Sequence, residues 1–150
     1  MLNHKRILVV EDEPLLAMVI ADALAAAGAV VLGPVGTVKE ALGLAGSCLT
    51  SGGIDAAVLD VNLHGEMVWL VANALDEGDV PYVMQTAYAY TDLDQHPTAP
   101  VINKPYLLAA LLDAVEAITD RPANGIRPPA RPSPDYAPEV TGMAKSADRQ

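Results

Sequence analysis

The sequence predicts an α/β fold in which five parallel strands form a doubly wound sheet of order 2-1-3-4-5, with helices on both faces. Three observations predict it. Apolar runs rich in Val, Ile and Leu recur along the chain without alternating with polar residues, which is typical of strands buried on both faces. Segments of helical period separate these runs, and the connections are short, which favours parallel strands joined by right-handed crossovers.

The predicted strands differ in the strength of their signal. The first four are clearly apolar and we expect them to be buried on both faces, while the fifth is shorter. In the predicted order, the carboxyl ends of the first and third strands are neighbours, and a crevice opens beyond them. The strands cover residues 6 to 10 (RILVV), 29 to 34 (AVVLGP), 55 to 61 (DAAVLDV), 80 to 87 (VPYVMQTA) and 99 to 103 (APVIN).

Helical segments follow the strands at 14 to 28, 37 to 46, 65 to 78 and 105 to 119. Pro14 suits a first helical position and Gly28 a helix end, while Thr37 followed by Glu40 is typical of a capping box. Between the fourth and fifth strands, YAYTDLDQHPTAP contains two prolines and has little apolar period. We therefore expect the fourth helix to be short or irregular.

Composition predicts one domain and a tail. The chain has 150 residues, of which 51% are hydrophobic, and this is enough for one globular unit that we expect to cover residues 1 to 120. Residues 121 to 150 contain six prolines and no helical or strand period, so they predict a Pro-rich disordered tail. Whether this tail docks a partner or has no function is open.

Charge disfavours two kinds of partner. The total charge is −10, and residues 1 to 120 alone have a net charge of −12, from four basic and sixteen acidic side chains. This negative charge disfavours direct binding to nucleic acid or to a membrane surface. Acidic residues 11 to 13 interrupt the first apolar run, and no run is long enough to span a bilayer, so we expect a cytoplasmic protein without a signal peptide. The single Cys48 excludes an internal disulfide.

Carboxylates follow two strands that are neighbours in the predicted sheet. Glu11 and Asp12 come after the first strand, and Asp60 lies at the end of the third with Asn62 two positions on. Crowded carboxylates repel one another unless a cation enters, and oxygen ligands without His or Cys suit Mg²⁺. The sequence thus predicts a Mg²⁺ site, with a solvated acidic rim as the alternative.

Anion-binding groups follow the other two strands. Thr86 and Ala87 end the fourth strand, where a hydroxyl and unhindered backbone amides can meet an anion, and Lys104 follows the fifth. Each of these residues alone is common without a function. Together with the carboxylates they surround a volume that fits a phosphoryl group, with Asp60 as the best-placed nucleophile.

Four motifs, ILVVEDEP, VLDVNL, QTA and NKPY, occur in this order and resemble the receiver domain of bacterial two-component response regulators over roughly residues 4 to 119. The resemblance implies the flavodoxin-like receiver fold and Asp60 as the phosphoacceptor. It also implies a cis bond from Lys104 to Pro105, which aims the lysine inward. The other implied roles are Mg²⁺ binding by Glu11, Asp12, Asp60 and the backbone carbonyl of Asn62, and phosphoryl binding by Thr86, Ala87 and Lys104.

The resemblance also implies partners. Such domains take the phosphoryl group from a sensor histidine kinase, from a phosphotransfer protein or from a small donor such as acetyl phosphate, and they act as switches rather than as metabolic enzymes. Since no DNA-binding or catalytic pattern follows the predicted domain, we expect output through a downstream protein partner or through competition for phosphoryl groups. The cognate kinase and the oligomeric state are open.

Two departures from the usual receiver pattern, Val101 and the short or irregular fourth helix, concern how a signal leaves the site. Val101 stands three positions before Lys104, where an aromatic switch residue is common, so coupling of Thr86 to a swinging ring is not expected. The segment PYVMQTAY loosely resembles the PFxFATGY motif of a mostly stand-alone receiver subclass. Tyr88, two residues past Thr86, could shield an acyl phosphate from water or could simply pack at the strand exit.

Two other functions are compatible with parts of the pattern. A degenerate receiver would keep the fold and act as a phosphorylation-independent binding module. A phosphohydrolase of the haloacid dehalogenase type would also attack phosphate with an Asp at a strand end, but it needs a second Asp two residues later, where this chain has Asn62.

Overall fold

The computed structural model describes residues 1–87 and 99–120. Strands and helices alternate along this part of the chain, apart from a short hairpin after the third strand. In chain order the elements are β1 (Arg6–Val10), α1 (Pro14–Ala26), β2 (Val30–Val35), α2 (Val38–Thr50), β3 (Ala56–Asp60), β4 (Asn62–Leu63), β5 (Glu66–Met67), α3 (Trp69–Glu77), β6 (Tyr82–Thr86), β7 (Val101–Asn103) and α4 (Leu108–Thr119).

The main sheet has five strands in the order β2-β1-β3-β6-β7, and all of its strand pairs are parallel. Because β4 and β5 form a separate antiparallel pair, these five strands are the predicted ones, and the predicted order 2-1-3-4-5 is confirmed. All five carboxyl ends therefore lie along one edge of the sheet.

The core has two layers, one on each face of the sheet. One layer packs α2 and α3 against the sheet and the other packs α1 and α4 against the opposite face. Every residue of β3 and β6 is buried, as their unbroken apolar runs predict. The same expectation is wrong for β2, which has no buried residue because it lies at the sheet edge, where Pro34 removes no interior hydrogen bond.

The first two helices begin where the sequence predicts. Pro14 is the first residue of α1, and the Thr37 side chain accepts a hydrogen bond from the backbone amide of Glu40 at 3.0 Å before α2. The Glu40 side chain in turn accepts from the amide of Gly36 at 3.2 Å, one residue before the usual capping-box position. Helix α2 continues through Gly46 to Thr50, beyond the predicted end, so a single Gly did not terminate it.

The third helix begins later than predicted, at Trp69 rather than near residue 65. A tight turn precedes it, in which His64 has φ 54° and Gly65 has φ 92°. These are left-handed conformations that a helix cannot include. The turn joins β4 to β5, and the hairpin occupies the stretch that helical periodicity had assigned to the start of the helix.

Three expectations fall on residues outside the described part of the chain and stay predictions. These are the short or irregular fourth helix, the position of Tyr88 and the tail from residue 121. Within residues 1–87 and 99–120, no helix is both long enough and apolar enough to cross a membrane.

Candidate functional site

Four of the predicted site residues lie at the carboxyl edge of the sheet. Glu11 directly follows β1, Asp60 is the last residue of β3, Thr86 is the last residue of β6 and Lys104 directly follows β7. They meet because parallel strands present their carboxyl ends at the same edge. The fold thereby brings Lys104 into contact with Glu11, which lies 93 positions earlier in the sequence.

Lys104 lies between two buried carboxylates. Its Nζ donates hydrogen bonds to Glu11 Oε1 and to Asp60 Oδ2, each at 3.1 Å, and these acidic residues are only 2% and 5% exposed. The backbone amide of Lys104 donates to the carbonyl of Thr86 at 2.8 Å, so strand pairing fixes where the side chain starts. The bond to Pro105 is cis, as the resemblance implies.

Three carboxylates form an acidic cluster, composed of Glu11, Asp12 and Asp60. One oxygen of each can be chosen so that all lie within 4.8 Å of one another. A single ammonium cannot neutralise three carboxylates at this separation. Because the donors are all oxygens, the cluster fits a site for a hard divalent cation such as Mg²⁺ or Ca²⁺.

Burial and crowding shift the protonation of this cluster. Burial raises the pKa of Glu11 from its ordinary 4.5 to about 8. The Glu13 backbone amide, which donates to Glu11 Oε2 at 3.0 Å, acts to lower this pKa but does not offset the effect of burial. Burial also raises the pKa of Asp60, against the opposing effects of Glu11 and Lys104. Burial would lower the pKa of Lys104, but Asp60 and Glu11 outweigh it and raise this pKa, so the ammonium stays charged.

Asp12 differs from the other two carboxylates because it is less buried and has its own partners. Its Oδ2 accepts from the backbone amide of His64 at 2.9 Å and lies 2.8 Å from His64 Nδ1. Burial acts to raise the pKa of Asp12, but the neighbouring Glu11, Asp60 and His64 together hold it below its usual value. Asp12 is therefore the member of the cluster that most readily carries a charge.

The turn after β3 also holds Asp60. The backbone amide of Asn62 donates to Asp60 Oδ1 at 3.3 Å, and the Asn62 side-chain oxygen accepts from the amide of Gly65 at 2.6 Å. Both oxygens of Asp60 thus have a donor, since Oδ2 contacts Lys104. The assignment of the Asn62 backbone carbonyl as a cation ligand stays a prediction.

The other predicted residues in the described part of the chain lie in or beside β6 and β7. Thr86 is buried and Ala87 is exposed at the end of β6, beside Lys104. Val101 is half-buried in β7, pairs with Met84 and packs against the core layer under α2 and α3. An aliphatic side chain therefore occupies the position where a switch aromatic is common.

The sequence predicted neither Gln85 and Tyr106 as residues of the site nor the contact of His64 with Asp12. Gln85 is fully buried in β6, and its Nε2 donates to Glu11 Oε1 at 2.9 Å. Tyr106, two residues after Lys104, donates its hydroxyl hydrogen to Gln85 Oε1. A signal for Gln85 was present, because an amide within an apolar strand that is buried on both faces must have a polar partner.

Comparison with known proteins relies on structure, since no protein-family model and no curated protein matches the chain. A response regulator receiver protein from Sinorhizobium medicae WSM419 superposes with a TM-score of 0.70 at 25% identity, over 80% of this chain and 98% of that one. The non-phosphorylated HemR receiver domain from Leptospira biflexa superposes with a TM-score of 0.67 at 26% identity, over 79% of this chain and 98% of that one.

A third similar structure contains a calcium ion. It is a response regulator protein from Burkholderia pseudomallei with a phosphorylated aspartic acid, a calcium ion and citrate, at 23% identity and a TM-score of 0.63, over 77% of this chain and 68% of that one. The PFxFATGY-like subclass stays a prediction. The described part of the chain has the receiver-domain fold of response regulators, and the resemblance that its motifs indicate is confirmed.

Proposed function

We propose that this chain is a phospho-accepting signalling switch, in which Asp60 receives a phosphoryl group from a sensor histidine kinase, a phosphotransfer protein or a small donor such as acetyl phosphate. The observation that carries the proposal is the contact of Lys104 Nζ with both Asp60 Oδ2 and Glu11 Oε1, at 3.1 Å each, in a crevice with three carboxylates. A cation held beside a buried carboxylate at a strand end is placed to bind the oxygens of an incoming anion.

The reaction needs little covalent chemistry from the protein. A carboxylate oxygen of Asp60 forms a bond to phosphorus while the bond from phosphorus to the donor breaks, and the donor atom, a histidine nitrogen in a kinase, keeps the electron pair. Lys104 would turn from the carboxylates towards the phosphoryl oxygens, and the Thr86 hydroxyl and the Ala87 amide would bind the same oxygens. Such transfer depends mainly on positioning and charge neutralisation.

The acidic cluster is proposed to hold Mg²⁺ with the backbone carbonyl of Asn62. This donor set supports the assignment because Mg²⁺ takes few carboxylates and keeps room for waters and phosphate oxygens. When bound, Mg²⁺ offsets the repulsion among the carboxylates, keeps them ionised and neutralises phosphoryl oxygens. The Burkholderia pseudomallei protein, which contains a phosphorylated aspartic acid and a calcium ion, supports the proposal that a protein of this fold can hold both groups.

Output is proposed to run through protein contact rather than through nucleic acid. Residues 1 to 120 carry sixteen acidic and four basic side chains, which suits a basic protein surface and repels a phosphate backbone. We propose that these residues form the receiver domain, that the Pro-rich tail follows it, and that both work in the cytoplasm with the kinase. The protein is a signalling protein of the receiver kind rather than a metabolic enzyme.

Incubation of the full chain with acetyl phosphate and Mg²⁺, followed by intact mass spectrometry, tests the proposal. We expect a mass gain of one phosphoryl group that is labile to base and that needs Mg²⁺. Asp60→Asn should remove the gain. Asp55→Asn is a matched control, because Asp55 directly precedes the same strand at its opposite end and should leave the gain unchanged.

The other functions give different results in this experiment. No mass gain in the wild-type chain would favour the phosphorylation-independent binding module, in which Val101 replaces the switch aromatic. Continuous release of phosphate with turnover would favour the phosphohydrolase. An equal mass gain in wild type and Asp60→Asn would show that another residue accepts the group.

A further inference from the structure

Gln85 occupies a position where an apolar side chain would be the ordinary choice. It is 0% exposed, and the register of the sheet places it between Asp60 in β3 and Ile102 in β7. Burying an amide lowers stability unless its donors and acceptor are paired. The reason for Gln85 must therefore lie in its partners.

Those partners fix the orientation of the amide. Nε2 donates to Glu11 Oε1 at 2.9 Å, while Oε1 accepts from the Tyr106 hydroxyl. The opposite orientation would place the amide oxygen against the carboxylate. Burial, aided by the charge of Glu11, raises the pKa of Tyr106, so its hydroxyl keeps the proton that it donates.

Gln85 and Tyr106 therefore hold the Glu11 carboxylate of the acidic cluster through a chain of hydrogen bonds. Among the described residues, Glu11 Oε1 accepts from the side chains of Lys104 and Gln85. If Lys104 turns to a phosphoryl group, as the proposed function requires, Gln85 is the side chain that still holds this oxygen. Partners of this kind orient metal-ligating carboxylates, and their removal typically weakens metal binding about 10-fold to 100-fold.

We propose that Gln85 is a positioning residue for the Glu11 carboxylate and that Tyr106 orients its amide, so that the pair raises the affinity of the acidic cluster for a divalent cation. This inference rests on the proposed function, because the cation is the one that the switch would use. It assigns roles to Gln85 of QTA and Tyr106 of NKPY, for which the resemblance implies none.

Calorimetric titration of the full chain with Mg²⁺ tests the proposal. Gln85→Met keeps the approximate length of the side chain without its amide, and we expect it to weaken Mg²⁺ binding roughly tenfold. Tyr106→Phe should weaken binding by a smaller factor, roughly threefold, because the amide stays but is no longer held. The double variant should bind no more weakly than Gln85→Met, since Tyr106 acts through Gln85.

Tyr82→Phe is the matched control. Tyr82 is a buried tyrosine of the same strand whose hydroxyl donates to Asp76 at 3.0 Å, and neither residue belongs to the acidic cluster. We expect this variant to lower the melting temperature without changing the Kd for Mg²⁺. A merely structural Gln85 would behave in the same way.

The possible outcomes separate the inference from the proposed function. A folded Gln85→Met variant with the Kd of the wild type overturns the inference alone. If this variant does not fold, Tyr106→Phe decides, and an unchanged Kd there overturns it. A wild-type chain that binds no Mg²⁺ contradicts the cation site of the proposed function and removes the inference with it.

Discussion

Each of the two edges of the sheet holds a basic residue that is hydrogen-bonded to a carboxylate, but the side chains of these two residues have different partners. At the amino edge, the Arg6 backbone amide donates to Asp55 Oδ2 at 2.8 Å, and the amide of Asp55 donates to the carbonyl of Arg6 at 2.8 Å. The guanidinium donates to the carbonyls of Gly53 and Ser51, at 2.7 and 3.0 Å. Arg6 therefore ties the loop before β3 to the sheet.

At the carboxyl edge the basic residue is Lys104, and its partners are themselves charged. Lys104 contacts Glu11 and Asp60, and Asp12 adds a third carboxylate nearby. This edge keeps an excess of negative charge in a largely buried place, which destabilises the fold unless a proton or a cation enters. A basic residue bound to loop carbonyls therefore stabilises the fold, whereas one shared among excess carboxylates lies where a further cation is favoured.

Removing the charge of Lys104 at the carboxyl edge should have the largest effect, on the rate of phosphorylation. Lys104→Met takes away the ammonium that would bind phosphoryl oxygens, and we expect the rate of acyl phosphate formation to fall by roughly 100-fold or more. The fold should persist, because Glu11 can relieve the remaining repulsion by holding a proton. The rate is measured with acetyl phosphate by quantitative mass spectrometry.

Lys39→Met is the control for this variant. Lys39 is exposed in α2, so the substitution removes the same charge at a position away from the site. It should phosphorylate at the rate of the wild type. Equal rates for Lys104→Met and the wild type would contradict the role assigned to Lys104.

Removing the cation at the amino edge should lower stability and leave the chemistry intact. Arg6→Met loses charged hydrogen bonds to loop carbonyls, and we expect the free energy of unfolding to fall by about 2 kcal/mol. Urea unfolding measures this change. A parallel phosphorylation assay should give the wild-type rate, and a loss there as large as that of Lys104→Met would remove the distinction between the two edges.

The stability of the folded chain should also depend on pH. Glu11 binds a proton more tightly in the folded chain, with a pKa raised to about 8, than in the unfolded one. In a chelator, the free energy of unfolding should therefore fall as the pH rises from 5 towards about 8. Thermal unfolding across this range measures it.

Two controls isolate this titration from the general negative charge of the chain. Glu11→Gln cannot titrate at this position, so its stability should change less over the same range. Saturating Mg²⁺ should favour the ionised cluster and stabilise the folded state most at high pH. A wild-type slope equal to that of Glu11→Gln would show that Glu11 does not titrate in this way.

The fold followed from the sequence where local pattern decides structure. The unbroken apolar runs of β3 and β6 indicated buried strands, and the alternation with helices indicated a doubly wound parallel sheet, for which 2-1-3-4-5 is a common order. The hydrophobic pattern did not predict two features, the burial of β2 and the start of α3. The burial of β2 depends on its place at the sheet edge, and the start of α3 depends on the left-handed turn at His64 and Gly65, which helical periodicity does not report.

The sequence predicted those residues of the candidate site that lie at the ends of predicted strands. Glu11 and Lys104 follow predicted strands and Asp60 lies near the end of one, and parallel strands bring these ends to one edge of the sheet. Gln85 was not predicted because its role depends on Glu11, 74 positions earlier, and on Tyr106 in another element. A local pattern shows that a buried amide needs partners, but only the packed structure identifies them.

Mapping the phosphorylated residue tests the central proposal most directly. Reduction of the acyl phosphate with borohydride converts a phosphorylated Asp to homoserine, which peptide mass spectrometry locates in the sequence. After treatment with acetyl phosphate and Mg²⁺, we expect homoserine at position 60 and at no other acidic position of the cluster. Homoserine at position 12 instead, or no reducible residue in a Mg²⁺-bound chain, would contradict the proposal that Lys104 and the acidic cluster serve phosphorylation of Asp60.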